Sequence, residues 1–246
     1  MITFISDLHL APALPGVTRL FQQFLQNQGV QSQALYILGD LFDHWVGDDQ
    51  LEAPYPQAIA SQLHQLAQGG CHIGILHGNR DFLLGQAFCQ AAGAQLLTDP
   101  YVLSVPTWQF VLTHGDGLCT DDQDYQQFRQ QVRSPAWQAD FLARPLAERL
   151  ALAQGLRQQS RDTKESKPDY LMDVNGGATD DFLRDHGYAT LIHGHTHRPD
   201  RHDHLVDGIH CERWVLGDWR ETPEGATGDC LVWDGEALRR QPLALS

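Results

Sequence analysis

Leu191-Ile-His-Gly-His-Thr-His197 is the stretch on which the reading of this chain turns. The apolar run 189–192 reads as a short buried strand, and Gly194 permits a sharp turn directly after it. Imidazoles then stand at positions 193, 195 and 197. In extended backbone residues i and i+2 point the same way, so His195 and His197 are expected to converge on one spot. A lone histidine is ordinarily a satisfied polar residue. A cluster of them beyond a buried strand points instead to a metal, because neutral imidazole is the commonest protein metal ligand.

Working outward, the same arrangement recurs. The apolar run 2–5 reads as a buried strand and ends in Ser6-Asp7-Leu8-His9. Val17, Leu20, Phe21, Phe24 and Leu25 at helical spacing predict an amphipathic helix over 17–28. The run 34–38 predicts a second strand, which leads into Gly39-Asp40-Leu-Phe-Asp43. A helix over 56–68 and a strand over 72–76 follow, and that strand ends in His77-Gly78-Asn79-Arg80-Asp81. Runs 101–105 and 110–113 predict a hairpin across Pro106-Thr107 whose second strand enters His114-Gly115-Asp116. Polar residues stand at the carboxyl end of every strand, as in α/β proteins whose sites lie beyond those ends. Later runs at 214–216, 230–233 and 238–243, separated by Gly- and Pro-containing turns, are expected to complete a second sheet.

The 246 residues suffice for one sizeable core, and composition is that of an ordinary globular chain. No apolar run approaches a membrane span, and the first residues read as a strand and not a signal peptide. The five cysteines are scattered without a Cys-x-x-Cys pair, which speaks against a zinc ribbon and for a reducing cytoplasm. A net charge of −14 argues against a nucleic-acid partner. One segment departs from that balance. Arg129, Arg133, Arg144, Arg149, Arg157, Arg161, Lys164 and Lys167 are close to half of the 17 basic residues, yet they share a short stretch with only Asp140, Glu148, Asp162 and Glu165.

Collected, the strand ends supply Asp7, His9, Asp40, Asn79, His114, His195 and His197. These oxygen and nitrogen donors, without a thiolate, suit divalent ions such as Mn²⁺ better than a structural zinc. They are too many for one open octahedron and suit two metals bridged by a carboxylate. Asp-x-His, Gly-Asp, Gly-Asn, His-Gly and Gly-His-x-His in that order resemble the signature of the calcineurin-like metallophosphoesterases, whose fold is a two-sheet α/β sandwich flanked by helices. The resemblance spans residues 7–197. It implies that Asp7, His9 and His197 hold one ion, that Asn79, His114 and His195 hold the other, and that Asp40 bridges them. Where the general motif reads Gly-Asn-His-Asp or Gly-Asn-His-Glu, this chain has Gly78-Asn79-Arg80-Asp81. Arg80 is no proton donor but can clamp a phosphate, its bland alternative being an ion pair with a neighbour.

Arg80 and the blocks 38–42, 77–85, 114–122 and 172–175 narrow the resemblance to the lipid A pyrophosphatases of that superfamily. Such enzymes imply Asp40, Asn79, Arg80 and His114 at the reaction centre and two Mn²⁺ ions. The implied substrate is UDP-2,3-diacylglucosamine, cleaved to UMP and 2,3-diacylglucosamine 1-phosphate by water attack on the α-phosphorus. Asn79, Arg80, Asp122, Ser160, Lys164, Lys167 and His195 are implied as substrate contacts, with Lys164 standing where the family commonly has Asn. The implied place is the cytoplasmic face of the bacterial inner membrane, as a peripheral protein, and a monomer is expected. One domain over 1–246 is expected, with a helical cap inserted over 123–170, between His114 and the strand near Leu191. Its arginines would lie on a solvated or membrane-facing side and its apolar residues over the site. Pro135 and Pro145 would break it into short helices. A generic dinuclear phosphodiesterase or nucleotide pyrophosphatase without lipid selectivity is the alternative, and a binding scaffold on the same fold is a third reading.

Overall fold

The computed structural model describes residues 1–166 and 169–245, and the side chains other than those of 157–170. Strands β1 (Ile2–Ile5), β2 (Ala34–Ile37) and β3 (His72–Ile75) pair in parallel, and β4 (Gln95–Leu96) extends them. Helices α1 (Pro15–Asn27), α2 (Pro54–Gln68) and α3 (Gln86–Ala92) connect or flank these strands. Proline stands in the first turn of both α1 and α2, where its missing N–H costs nothing. The buried face of α1 is Val17, Leu20, Phe21, Phe24 and Leu25, the set that helical spacing predicts.

The second sheet is built from β5 (Tyr101–Val105), β6 (Trp108–Leu112), β7 (Thr190–His193), β8 (Asp200–Val206) and β9 (Ile209–Val215), in the order β5-β6-β7-β9-β8. The expectation for the late strands holds for the run at 214–216, which falls largely within β9. The other two runs go elsewhere. With β10 (Arg220–Thr222), strands β11 (Gly225–Trp233) and β12 (Leu238–Leu245) join the first sheet, where β11 lies antiparallel to β1. The reason is burial on both faces of β11. Leu231 and Trp233 enter the layer between the sheets with Phe4, Phe110 and Ile192, while Cys230 and Val232 face the α1 side. A strand with two apolar faces needs a packed layer on each side. Phe110 bridges the inter-sheet layer, with ring centroids 5.6 Å from Phe4 and 5.3 Å from Trp233.

Between β6 and β7 stand α4 (Gln123–Val132), α5 (Pro135–Leu142), α6 (Leu146–Ser166) and α7 (Gly176–Asp185). Pro135 opens α5 behind a Ser134 cap, and Pro145 precedes α6. Trp137 stacks on Phe141 at 4.7 Å and meets Phe82 at 6.1 Å, so α5 docks on the main core. The arginines correct the expectation of an outward basic face. Arg129 and Arg133 turn inward to Asp116, and Arg149 is only 3% exposed, bonded to Asp49 and the Val46 carbonyl. Among the described residues, no helix is long and apolar enough to cross a membrane.

Candidate metal centre

Beyond β1 and β2 the two chains stay together. Asp7 N–H donates to Gly39 O at 3.1 Å, His9 N–H to Asp40 O at 3.0 Å and Leu10 N–H to Leu41 O at 2.9 Å. Along this stretch the backbone leaves the extended region. Among the described residues, seven non-glycine residues have positive φ, and five of them are candidate ligands: Asp7, His9, Asp40, His195 and His197. Such conformations cost free energy and persist where surrounding structure holds them, typically at functional sites. They also overturn the expectation that His195 and His197 converge as an extended pair. His197 turns to Asp7 and His9, whereas His195 turns to Asn79 and His114.

The glycines of the motifs have a physical reason. A Cβ on Gly39, whose φ is +92°, would lie 2.6 Å from the Gly78 backbone and 2.7 Å from His114 Nδ1. One on Gly78 would collide with the Asp40 carboxylate, and one on Gly194 with that of Asp7. Gly78 and Gly194 therefore leave room for the carboxylates of other loops, and Gly39 for the Gly78 backbone and the His114 ring.

Asp7 accepts the His195 N–H on Oδ2 at 2.9 Å and faces His197 Nε2 with Oδ1 at 3.3 Å. Asp40 faces His9 Nε2 with Oδ2 at 3.1 Å, while its Oδ1 accepts the Arg80 N–H and lies 3.8 Å from His114 Nε2. Asn79 Oδ1 lies 3.0 Å from His114 Nε2 and 2.8 Å from His195 Nδ1. His114 Nδ1 donates to the Leu38 carbonyl, which leaves Nε2 to face the carboxylate side. Burial opposes ionisation of Asp7 and Asp40. Yet His197 and His114 hold the Asp7 carboxyl below the usual carboxylate range, and His114, His9 and Arg80 do the same for Asp40. Burial works against a charged His114, but the carboxylates Asp40, Asp7 and Asp116 outweigh it and raise the imidazole to about 9.

A metal fits this arrangement. Ligand atoms of Asp7, His9 and His197, and again of Asp7, Asp40 and His114, lie within 4.8 Å of one another. Nitrogen and carboxylate oxygen atoms converge there from separate loops, with no cysteine among them. An uncompensated pair of buried carboxylates would be costly, and a cation offsets it. His193 stands apart from the centre. It donates Nδ1–H to Gly194 O and accepts from Arg213, and burial together with Arg213 pushes it down to about 3.

Of the remaining candidates, Arg80 pairs with Asp43 at 2.8 Å and approaches Asp40 at 3.5 Å, leaving its side chain 26% exposed at the rim. Asp122 caps α4 by accepting the Tyr125 N–H. The side chains of Ser160 and Lys164, and Lys167 as a whole, lie outside the described residues. Asp81, which sequence reading passed over as a neighbour of Arg80, is fully buried. It accepts backbone N–H groups of Asp40, Leu41, Phe42 and Gly78, and so binds two donor-bearing loops together. Asp218 was also missed; it lies 3.8 Å from His197 Nδ1, behind the ring. Only its place after the strand end at 214–216 could have flagged it.

The chain belongs to the calcineurin-like phosphoesterase family, whose sequence profile matches residues 1–199. Membership of that family implies a metal-binding site, in agreement with the Asp and His cluster described above. Among curated relatives, the UDP-2,3-diacylglucosamine hydrolase of Aromatoleum aromaticum is 50% identical over 98% of this chain and 95% of its own length. The protein of the same name from Cellvibrio japonicus is 51% identical over 94% of this chain and 98% of its own. That of Stutzerimonas stutzeri is 44% identical, with both chains covered in full.

Proposed function

We propose that this protein hydrolyses the pyrophosphate of UDP-2,3-diacylglucosamine to UMP and 2,3-diacylglucosamine 1-phosphate, a step of lipid A synthesis. The observation that carries the reading is end-to-end similarity to relatives of that name, joined to a donor cluster of the phosphoesterase type. In this reading Asp7, His9 and His197 would hold one ion and Asn79, His114 and His195 the other, with Asp40 as a ligand shared by both. Bound there, Mn²⁺ would supply the positive charge that lowers the pKa of a water and offsets charge on phosphoryl oxygens.

The protein's own groups do the rest. Asp81 and the motif glycines keep the donor loops in register. Arg80, steadied by Asp43, presents a guanidinium at the rim, where a phosphate can take two parallel hydrogen bonds. The departing sugar phosphate is already a stabilised anion, so no histidine is needed at the Arg80 position to protonate it. Asn79 and His195 border the same space, and Asp122, Ser160, Lys164 and Lys167 complete the substrate contacts in this reading. Trp137, Phe141 and Phe82 pack together where the cap meets the core. Phe128, Leu142, Leu152 and Leu156 are exposed on the cap and offer apolar side chains for peripheral membrane contact; the reading places the protein, as a monomer, on the cytoplasmic face of the inner membrane.

The test is Mn²⁺-dependent turnover of UDP-2,3-diacylglucosamine in water labelled with heavy oxygen, with products identified by mass. UMP carrying the label is the expected product and places attack at the α-phosphorus. Hydrolysis of simple phosphodiesters without turnover of this substrate would return the chain to a generic phosphodiesterase.

A further inference from the structure

Helix α4 reaches each of the loops that carry Asn79, His114 and His195. The point of contact is Asp116, fully buried two residues beyond His114. One of its oxygens accepts the Tyr125 hydroxyl at 2.8 Å, Arg129 Nε at 2.7 Å and Arg133 Nη2 at 3.2 Å. These residues recur every four positions, so they share one face of α4. Arg133 Nη2 also donates to the Gly78 carbonyl at 3.0 Å, one residue before Asn79. The ring of Tyr125 then lies on the imidazole of His195, with centroids 5.8 Å apart and planes 27° apart. On the other side, His114 meets the His195 ring edge-on at 5.2 Å.

His195 needs such support. Its backbone sits at φ +67°, which is costly for a residue with a side chain, and its ring must keep Nδ1 2.8 Å from Asn79 Oδ1. A ring enclosed by two others loses the rotamers that would carry it away. We propose that the ring of Tyr125, on a helix that Arg129 and Arg133 also tie to Asp116, is a positioning group that holds the His195 imidazole against Asn79 and His114, so that docking of α4 completes the metal centre. The proposal rests on the metal reading given under Proposed function. Groups that orient metal ligands from behind typically change metal affinity about 10- to 100-fold when removed.

The experiment compares Tyr125→Phe, which keeps the ring and loses the hydroxyl, with Tyr125→Leu, which loses both. Tyr125→Met replaces the latter should it fail to fold, as judged by circular dichroism. In metal-free protein labelled at histidine, the His195 ring-proton resonance, assigned with His195→Gln, shifts downfield in the Leu variant and stays close to its place in the Phe variant. Mn²⁺ titration followed by electron paramagnetic resonance shows affinity about tenfold weaker in the Leu variant and within about threefold in the Phe variant. An unmoved resonance overturns the stack, and a moved resonance with unchanged Mn²⁺ affinity overturns the positioning role. Wild-type protein that takes up no Mn²⁺ defeats the metal reading, and the resonance then decides alone whether Tyr125 holds His195.

Discussion

The Asp7 carboxylate occupies the space that a side chain on Gly194 would need. The same carboxylate accepts the N–H of His195, so β1 and the loop after β7 are locked at a single point. Gly194→Ala must displace Asp7 or the loop, and Mn²⁺ binding is expected to fall below detection in a titration. Gly155→Ala is the contrast. Its added methyl meets nothing, and it lies inside α6. Thermal melting should show it neutral or stabilised by about 0.5–1 kcal/mol, the usual helical gain. A destabilised Gly155→Ala protein would contradict the open surroundings of Gly155.

Asp81 accepts N–H groups from two loops while fully buried. Asp81→Asn removes the charge and turns an amide N–H₂ toward donors. Hydrogen bonds to a charged group contribute about 1.5–3 kcal/mol each, and a loss of about 2–3 kcal/mol in urea unfolding is expected. An unchanged midpoint would refute its organising role.

Arg149 is a buried cation of the cap, bonded to Asp49 and to the carbonyls of Val46 and Arg144. Truncation leaves the Val46 and Arg144 carbonyls without their donor, while Asp49 is exposed enough to be solvated, so Arg149→Ala should cost about 1–3 kcal/mol. The loss should be local. Hydrogen exchange should quicken in α5 and the first turns of α6 while β1–β3 keep their protection, and uniform quickening would mean that the cap does not open separately.

Removal of metal should both silence and soften the protein. Chelation followed by gel filtration is expected to abolish hydrolysis, and Mn²⁺ should restore it. An ion at 100 times its Kd stabilises by about 2.7 kcal/mol, so calorimetry should show a higher Tm on Mn²⁺ addition. Asp40→Ala should lose both effects, and a Tm rise that survives in it would place the ions elsewhere.

Cys71, Cys89 and Cys230 are buried thiols, pushed up by desolvation to about 11, about 12 and about 12. Native protein at pH 8 should not react with Ellman's reagent at these positions, whereas denatured protein should. The unfolded thiols release protons near 9 while the folded ones hold theirs, so the native state binds more protons between those values. Stability therefore declines as pH rises above about 9. Urea midpoints at pH 8 and pH 10 test the sign, to which other groups that titrate in that range also contribute; Cys230→Ala should flatten part of the slope.

The local sequence by itself determined the parallel strands, the amphipathic faces of α1 and α2, the helix breaks at Pro135 and Pro145, and which residues stand at the strand ends. Apolar runs, helical spacing and proline geometry act over a few residues, so a single chain records them. The polar β8 and the destination of β11 and β12 were not legible, because only the partner layer reveals that Leu231 and Trp233 pack on Phe110 while Cys230 faces α1. In the centre, the alternation of histidines suggested that His195 and His197 point together. The left-handed backbone at both sends them to opposite sides of the carboxylates. Asp81, Asp116 and Asp218 differ from any surface aspartate only in what surrounds them. Burial, ring contacts and hydrogen bonds between separate loops, such as that of Asp81 with the Leu41 N–H, exist only once the loops have met, and so the tertiary structure alone assigned those carboxylates their places.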